Sequence, residues 1–386
     1  MGSYISYQRV KDYWAKDLPI NRGRYNFDVI RYEYYRDKTV AREAFKAGEF
    51  DRFMENTAKA WETAYIGEAI NKQHIKKEQI ASNRPQGIYG LMFNTRKEIF
   101  KDKQIRQAIT MAFDFEWINQ RLFYNSYIRS ASFFTNSDFA AVDLPDKGER
   151  DVLEPYRDRL PAAVFGPAVK PPKSDGKGDI RKIMKPFFTL FKDAGYQLKN
   201  GRMLDNKSKP FRFTVLLSSP SLSRVLMPFK KNLDRLGIQM DIQMVDPNQY
   251  VNRVRTFDYD MIFAKYPGSS SPGNELRYYF GSKAADTAGS RNYPGIKNPV
   301  VDELIEKIIE APARSELVTR CRALDRVLRQ EYYLIPGWHF PFIRIAYWNK
   351  FGRSTVPAPN GVDFYSWWIE PAKLETIRKG GTGYKN

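Results

Sequence analysis

Residues 210–264 read PFRFTVLLSSPSLSRVLMPFKKNLDRLGIQMDIQMVDPNQYVNRVRTFDYDMIFA, and they decide the fold class. Apolar and β-branched residues at 211–217, 238–245 and 259–263 predict three strands. The two segments between them carry apolar side chains at helical spacing, and Gly237 ends the first of these helices. This βαβαβ order predicts parallel strands with right-handed crossovers and therefore an α/β fold.

Regular elements are also predicted on both sides of this stretch. Residues 26–51 have the pattern of a strand followed by a helix, and residues 105–113 carry apolar side chains on one helical face. Further along the chain, Asn298 with Pro299 opens one helix and Ser315 opens another. The proline-rich segment 161–178 predicts a long surface loop.

Length and composition predict a globular chain with two lobes. The 386 residues exceed what one core usually holds, and 42% of them are hydrophobic. An excess of 63 Lys and Arg over 44 Asp and Glu gives a net charge of +19. Such a charge attracts anions, acidic ligands, nucleic acid or anionic membrane surfaces, and it does not choose among them.

No catalytic or metal-binding motif is recognisable, so we predict neither an enzyme nor a cofactor. His74, His339 and Cys321 are too far apart in the sequence to suggest a metal site. Cys321 has the helical spacing of a core residue, and His339 lacks a partner nucleophile. Residues 268–273 read GSSSPG, which has proline where a serine hydrolase motif needs its second glycine.

Nucleic-acid or other polyanion binding is the alternative from another class. A charge of +19 together with 24 Tyr, 26 Phe and 7 Trp could supply phosphate contacts and stacking platforms. No recognised nucleic-acid-binding module supports this alternative, and a stacking face would need several of these aromatic side chains exposed together. We therefore expect no nucleic-acid partner.

The chain resembles the family 5 extracellular solute-binding proteins, the peptide, nickel and oligopeptide group. The most specific match is residues 93–114, FNTRKEIFKDKQIRQAITMAFD. Further matches lie at residues 9–14, 47–51, 192–196, 236–238 and 298–302. Within the family, the chain looks most like the Yej-type branch, associated with peptide and microcin C uptake, on the basis of residues 18–28, 112–117, 271–275 and 323–328.

This resemblance implies a two-lobe periplasmic binding protein type II fold, with mixed sheets flanked by helices around a cleft. Residues 1–87 would form part of lobe I, residues 88–345 lobe II, residues 346–373 the return to lobe I, and residues 374–386 a loose tail. Because a strand begins as early as Tyr4, we expect the first lobe to be incomplete, without the family's N-terminal part and export signal.

The function implied is capture of oligopeptides or peptide-like compounds for an ABC importer. The partners would be the inner-membrane permease and ATPase subunits, and the protein would be a periplasmic monomer. Many members hold the ligand's amino terminus with an aspartate after a tryptophan-containing strand end. The comparable stretch here, residues 263–272, contains no acidic residue, so serine side chains or backbone groups would contact the ligand instead.

Seven residues are predicted to contact the ligand and four to bend between the lobes. The contacts are Tyr266, Ser269, Ser270, Ser271, Asn274, Trp338 and His339. The hinge residues are Gly87, Tyr89, Gly90 and Tyr347. The alternative for Tyr266 and the serines is an ordinary strand-to-loop turn, and for Trp338 it is packing in the core.

Overall fold

The computed structural model describes residues 3–356, 358 and 360–385. The chain divides into two compact units: unit 1, the described residues up to Arg84 and from Pro341 onward, and unit 2, Pro85–Phe340. None of the helices in the described ranges is both long and apolar enough to cross a bilayer.

The strands are β1 (Tyr4–Gln8), β2 (Val29–Glu33), β3 (Arg52–Met54), β4 (Ile75–Ala81), β5 (Ile88–Phe93), β6 (Ile128–Arg129), β7 (Gln197–Lys199), β8 (Arg202–Leu204), β9 (Arg212–Leu217), β10 (Gln239–Met244), β11 (Met261–Tyr266), β12 (Leu334–Pro336), β13 (Trp338–His339), β14 (Phe342–Trp348), β15 (Phe351–Gly352) and β16 (Trp368–Ile369). The helices are α1 (Lys38–Lys46), α2 (Ala58–Thr63), α3 (Glu68–Asn71), α4 (Lys103–Met111), α5 (Phe115–Leu122), α6 (Lys147–Leu153), α7 (Arg181–Asp193), α8 (Pro220–Arg235), α9 (Pro247–Arg255), α10 (Glu275–Phe280), α11 (Ser282–Ala285), α12 (Pro299–Ile309), α13 (Arg314–Gln330) and α14 (Pro371–Lys379).

A five-stranded sheet in the order β10-β9-β11-β5-β12 forms the centre of unit 2. Strand β9 runs parallel to β10 and β11, which confirms the predicted βαβαβ run. Strand β5 enters antiparallel to both β11 and β12 and makes the sheet mixed. The α/β fold class is therefore confirmed.

Two hydrophobic clusters cover the two faces of this sheet. One contains Phe93 and Phe263 of the sheet together with Phe229 of α8, and the other contains Ile262 of the sheet together with Leu324 of α13. Successive strand residues point to opposite faces, so neighbours in β11 belong to different clusters. Cys321 is fully buried in the second cluster, as its helical spacing predicted.

Unit 1 contains a three-stranded antiparallel sheet in the order β3-β14-β4. Its main hydrophobic cluster includes Phe45 of α1, Trp61 of α2 and Trp348 of β14. Strands β1 and β2 form a separate two-stranded antiparallel ribbon, in which all five residues of β1 are exposed. The strand and helix predicted for residues 26–51 are β2, which is the second strand of this ribbon, and α1.

The passages between the units differ from the predicted domain boundaries. They lie at residues 84–85 and 340–341 rather than at 87–88 and 345–346. Strand β14 pairs with β4 along its whole length, which holds residues 342–345 in unit 1. The backbone N–H of Gln86 donates to the carbonyl of Thr135 at 2.9 Å, which ties it to unit 2.

The predicted loose tail at residues 374–386 is corrected by the structure, with residue 386 outside the described residues. Helix α14 covers residues 371–379 and buries Ile377. The ring of Tyr384 packs 4.9 Å from that of Trp348, and its hydroxyl donates to Asp51 Oδ1 at 2.9 Å. Two apolar side chains therefore anchor a segment whose composition looks polar.

The starts of α12 and α13 and the 161–178 segment were also predicted from the sequence. Asn298 caps α12 by accepting from the N–H of Val300, as predicted, whereas α13 begins one residue before Ser315, with Ala313 at its cap position. The 161–178 segment contains one short 3-10 helix. Arg326 and Arg329 of α13 donate to its carbonyl groups at residues 166 and 169.

Candidate functional site

A group of aromatic rings lies on unit 2 where β5, β11 and β13 meet. We call it the aromatic shelf and define it by the half-buried rings of Tyr89, Tyr127, Trp338 and Phe340 above the buried rings of Phe123 and Phe263. Tyr89 stacks on Phe263 with ring centroids 5.4 Å apart. Trp338 packs 4.7 Å from Phe123 and 5.3 Å from Tyr89. Tyr127 meets Phe340 at 5.9 Å.

The backbone explains why Trp338 and Tyr89 meet. Strand β13 pairs with β6, so that Trp338 lies opposite Arg129 and His339 opposite Ile128. The N–H of Gly337 donates to the carbonyl of Tyr89 at 2.9 Å. Both strands therefore fix the position of Trp338, whose side chain is half-buried and keeps part of its surface available to a ligand.

His339 of β13 and Ser130, which follows β6, form a polar pair in the same ribbon as Trp338, and Ser130 is fully buried. His339 Nδ1 lies 3.2 Å from Ser130 Oγ. Burial lowers the pKa of His339 below 6.5, because the charged imidazolium is poorly solvated there. A hydrogen bond between the ring and the backbone of Ile128 opposes this shift.

Arg129 lies beneath this surface and organises the strand next to it. Its Nε donates to the carbonyl of Pro336 at 3.4 Å, and its Nη1 donates to the carbonyl of Pro172. Burial lowers the pKa of Arg129 to about 10, and the nearby charges of Asp114 and Glu116 oppose that shift. Its Nη2 is enclosed and makes no hydrogen bond within the residues that the structure describes. We therefore regard Arg129 as a positioning residue.

Tyr266, a predicted contact, is buried in the core instead. Only 1% of its surface is exposed, and its ring packs 4.8 Å from Phe280 and 6.3 Å from Phe133. It lies an odd number of residues after Phe263 in the same strand, so the two side chains point to opposite faces of the sheet. Tyr266 therefore lies on the face that the aromatic shelf does not occupy, and it cannot contact a ligand in this conformation.

The predicted contacts at residues 269–274 lie in the loop after β11. Ser270, Ser271 and Asn274 are exposed, and Ser269 is half-buried with its hydroxyl accepting from the N–H of Ser271 at 3.1 Å. Arg314 donates to the carbonyl of Ser270 at 2.9 Å. Apart from Ser269, these side chains remain accessible, so the loop stays a prediction as a contact region.

The predicted hinge residues lie in paired strands or close backbone contacts. Tyr89 and Gly90 belong to β5, which is hydrogen-bonded to strands on both sides, and Tyr347 belongs to the middle strand of the unit 1 sheet. Gly87 has φ +64°. A Cβ on Gly87 would meet the carbonyl of Tyr266. Bending within these strands would break ladder hydrogen bonds, which favours the passages at residues 84–85 and 340–341 as places to bend, and the four hinge residues stay a prediction.

The structure also adds residues that the sequence analysis missed. It brings the predicted residues Trp338 and His339 together with Tyr89, Arg129 and Ser130. Residues 127–130, YIRS, contain two strand-favouring residues, Tyr127 and Ile128, and these are the signal that could have indicated a strand here. Two residues of pairing are too few for that signal to stand out from the surrounding loop.

Two observations concern other kinds of site in unit 2. Among the residues that the structure describes, no group of three or more His, Cys, Asp or Glu side chains is placed to hold a metal ion. A cavity of about 30 Å³, lined in part by Thr110, Phe133 and Arg329, has room for about one water molecule. That cavity is too small for a peptide.

Comparison with known proteins gives consistent matches. The model of the bacterial extracellular solute-binding proteins, family 5 Middle, matches residues 1–288. The chain is 42% identical over 386 residues to uncharacterized protein YejA of Escherichia coli (strain K12), covering 99% of this chain and 64% of that protein. It is 38% identical over 371 residues to the probable peptide-binding protein YejA of Agrobacterium fabrum, covering 95% of this chain and 60% of that protein. The chain therefore spans less than two thirds of the length of these relatives.

A solved structure shows the same fold. The oligopeptide-binding protein AppA from Bacillus subtilis, in complex with a nonapeptide, matches with a TM-score of 0.65 and 19% sequence identity. The match covers 96% of this chain and 64% of that one. At this identity the likeness concerns the fold, and it confirms the predicted binding-protein architecture.

Proposed function

The chain belongs to the family 5 bacterial extracellular solute-binding proteins, and on that premise we propose that it captures peptides or peptide-like compounds for an ABC importer. It acts as a binding protein and catalyses no reaction. Its partners are the permease and ATPase subunits of an inner-membrane transporter, and it works in the periplasm as a monomer. The relatives and the solved structure named as peptide-binding support this choice of ligand.

The aromatic shelf is the observation that carries the proposal. Half-buried rings lie at Tyr89, Tyr127, Trp338 and Phe340, and the half-buried polar side chain of His339 belongs to the same strand as Trp338. Rings of this kind accept side chains of many shapes, because their contacts are mainly apolar, while a few fixed polar groups orient the ligand main chain. A binding protein for varied peptides needs this combination.

We assign direct contacts to Trp338 and His339, and we keep Ser270, Ser271 and Asn274 as further candidates. The first two are half-buried and fixed by strand pairing, so their positions change little on binding. The latter three are exposed in the loop after β11. Arg129 acts through the strand it supports, since its guanidinium is enclosed.

Calorimetric titration of short peptides into the wild-type chain and the Trp338→Ala variant tests this assignment. Removing a large ring from the centre of a contact surface costs about 2 kcal/mol or more, so the affinity should fall at least about 30-fold. Trp338→Phe should recover part of it. Tyr278→Ala removes an exposed ring on the same unit and is the matched control, with affinity unchanged.

The nucleic-acid alternative predicts a different dependence of affinity on salt concentration in the same titration. A protein that binds single strands through phosphate contacts loses affinity steeply as the salt concentration rises. Peptide binding on the aromatic shelf depends mainly on apolar contact and should change little between low and high salt.

Peptide affinity that is identical in wild type and Trp338→Ala would show that the aromatic shelf is not part of the binding site.

A further inference from the structure

A recess of about 840 Å³ lies in unit 1, beside the β1–β2 ribbon and the segment that joins its two strands. Its volume is in the range of ligand pockets. We call it the tyrosine recess. The side chains that line it are Tyr7, Gln8, Arg9, Val10, Lys11, Tyr13, Lys16, Asn21, Arg24, Tyr25, Phe27, Ile30, Tyr32, Tyr34 and Tyr365.

The rings of the tyrosine recess are exposed but already arranged. Tyr7 and Tyr34 both line the recess and are both 58% exposed, which is a large exposed fraction for aromatic side chains. Tyr7 meets Tyr32 edge to face at 5.8 Å, and Tyr25 packs 5.5 Å from Tyr365. These contacts hold the rings in place, so a ligand would meet a surface that needs little reorganisation.

Tyr25 adopts a backbone conformation that side chains rarely take. Its φ is +60°, in the left-handed region, and its N–H donates to the carbonyl of Tyr365 at 2.7 Å. Such a conformation costs free energy for a residue with a Cβ, and the surrounding contacts must maintain it. The strain places the Tyr25 ring between Tyr13 and Tyr365.

The charges that line the recess are all positive. Arg9 pairs with Asp28 at 2.6 Å and Arg24 with Asp363 at 3.4 Å. Lys11 and Lys16 form no ion pair within the described residues, and no acidic side chain lines the recess. Two cations are therefore available to a ligand, next to rings that can stack on flat groups.

From this surface we infer that the tyrosine recess is a second binding site, which takes a short acidic peptide with about two carboxylates. The two available lysines match that number of charges, and the rings match peptide planes and aromatic side chains. A nucleic-acid strand needs a basic track that follows many phosphates, whereas the other two cations here already have carboxylate partners. The recess belongs to unit 1 and the aromatic shelf to unit 2, and the inference does not depend on the function proposed for unit 2.

Calorimetric titration of the blocked peptide acetyl-Glu-Tyr-Glu-amide at low salt tests the inference. The neutral analogue acetyl-Gln-Tyr-Gln-amide should bind about tenfold more weakly. The double variant Lys11→Gln/Lys16→Gln should lower affinity for the acidic peptide by about three- to tenfold, as expected for two exposed ion pairs. Tyr34→Ala truncates an exposed ring and should weaken both peptides.

Two matched variants make the result decisive. Lys207→Gln/Lys209→Gln removes two exposed lysines from unit 2 and should leave the affinity unchanged, which separates the recess from general attraction to a basic protein. In the Trp338→Ala background, where binding on the aromatic shelf is weakened, Lys11→Gln/Lys16→Gln should still lower affinity for the acidic peptide by about three- to tenfold, which assigns the loss to the recess. The inference is overturned if the acidic peptide fails to bind, if the neutral analogue binds equally well, if Lys207→Gln/Lys209→Gln lowers affinity as much as the recess lysine variant does, or if the recess lysine variant has no effect in the Trp338→Ala background. Tighter and steeply salt-dependent binding of a short oligothymidylate would overturn the peptide class.

Discussion

Replacing Asp325 by asparagine should destabilise unit 2 more than any surface change. Asp325 is fully buried in α13. Its Oδ1 accepts from the N–H of Phe133 at 2.8 Å, and its Oδ2 accepts from the N–H of Ala141 at 3.0 Å and from Arg329 at 3.2 Å. Every neighbour of the carboxylate is therefore a donor, and this one side chain ties α13 to the segment that follows β6.

An amide in this position must place its own NH₂ against a donor, whichever way it is turned. The substitution also leaves the guanidinium of Arg329 without its buried counter-charge. Breaking a buried ion pair by removing one partner costs about 3–5 kcal/mol. We expect Asp325→Asn to lower the free energy of unfolding of unit 2 by about that amount. Asp138→Asn is the matched control, because the pair of Asp138 with Arg314 is about half exposed and should contribute less than about 1 kcal/mol.

Hydrogen exchange followed by mass spectrometry reads this effect locally, which matters in a chain with two units. A loss of about 4 kcal/mol corresponds to a roughly 1000-fold faster exchange of amides that open with the unit. Peptides that contain Phe133 and Ala141 should show that acceleration in Asp325→Asn and little change in Asp138→Asn. Equal protection of these amides in both variants would refute the view that Asp325 holds this segment.

Three further predictions follow from the described contacts. Since burial lowers the pKa of His339, the folded state favours the neutral ring, so its contribution to stability is present above pH 6.5 and lost as the pH falls through the lower folded pKa; the wild type should therefore lose more stability between pH 7.5 and about pH 5 than His339→Gln in denaturant titrations. Gly87→Ala should destabilise by more than about 1 kcal/mol, because φ is +64° and the new Cβ would lie 2.7 Å from the backbone nitrogen of Gly268 as well as against Tyr266; an unchanged unfolding midpoint would contradict this. Tyr384→Ala should lower the stability of unit 1 by about 1–3 kcal/mol in thermal unfolding, whereas Tyr384→Phe should lose only the hydroxyl's two hydrogen bonds, the one it donates to Asp51 and the one it accepts from Lys350.

Much of the fold of unit 2 could be predicted from local patterns. The run at residues 210–264 gave its strands and helices in the right order, since period-2 and period-3.6 patterns depend only on residues close in sequence. The role of β5 could not be predicted in this way. Its partners are β11 and β12, and the pairing of Ile88 with Tyr266 joins residues far apart in the chain. Tyr89 and Gly90, which were predicted to bend between the lobes, therefore lie in an interior strand of the sheet.

At the candidate site, too, local sequence patterns could not predict contacts between side chains that are far apart in the chain. Trp338 and His339 were predicted, because aromatic and polar residues at a strand end are visible in the sequence. Tyr266 was predicted as a ligand contact but is buried, since the register that buries it is set by pairing with β5. Arg129 and Ser130 were missed because a strand of two residues has no period of its own.

Native mass spectrometry of the purified chain, titrated with a mixed pool of short peptides, tests the central claim most directly. We expect discrete adducts whose masses correspond to single bound peptides, and we expect those adducts to be depleted in Trp338→Ala but retained in Tyr278→Ala. A wild-type spectrum with no peptide adduct, or adducts that are equally abundant in the Trp338→Ala variant, would contradict peptide capture on the aromatic shelf.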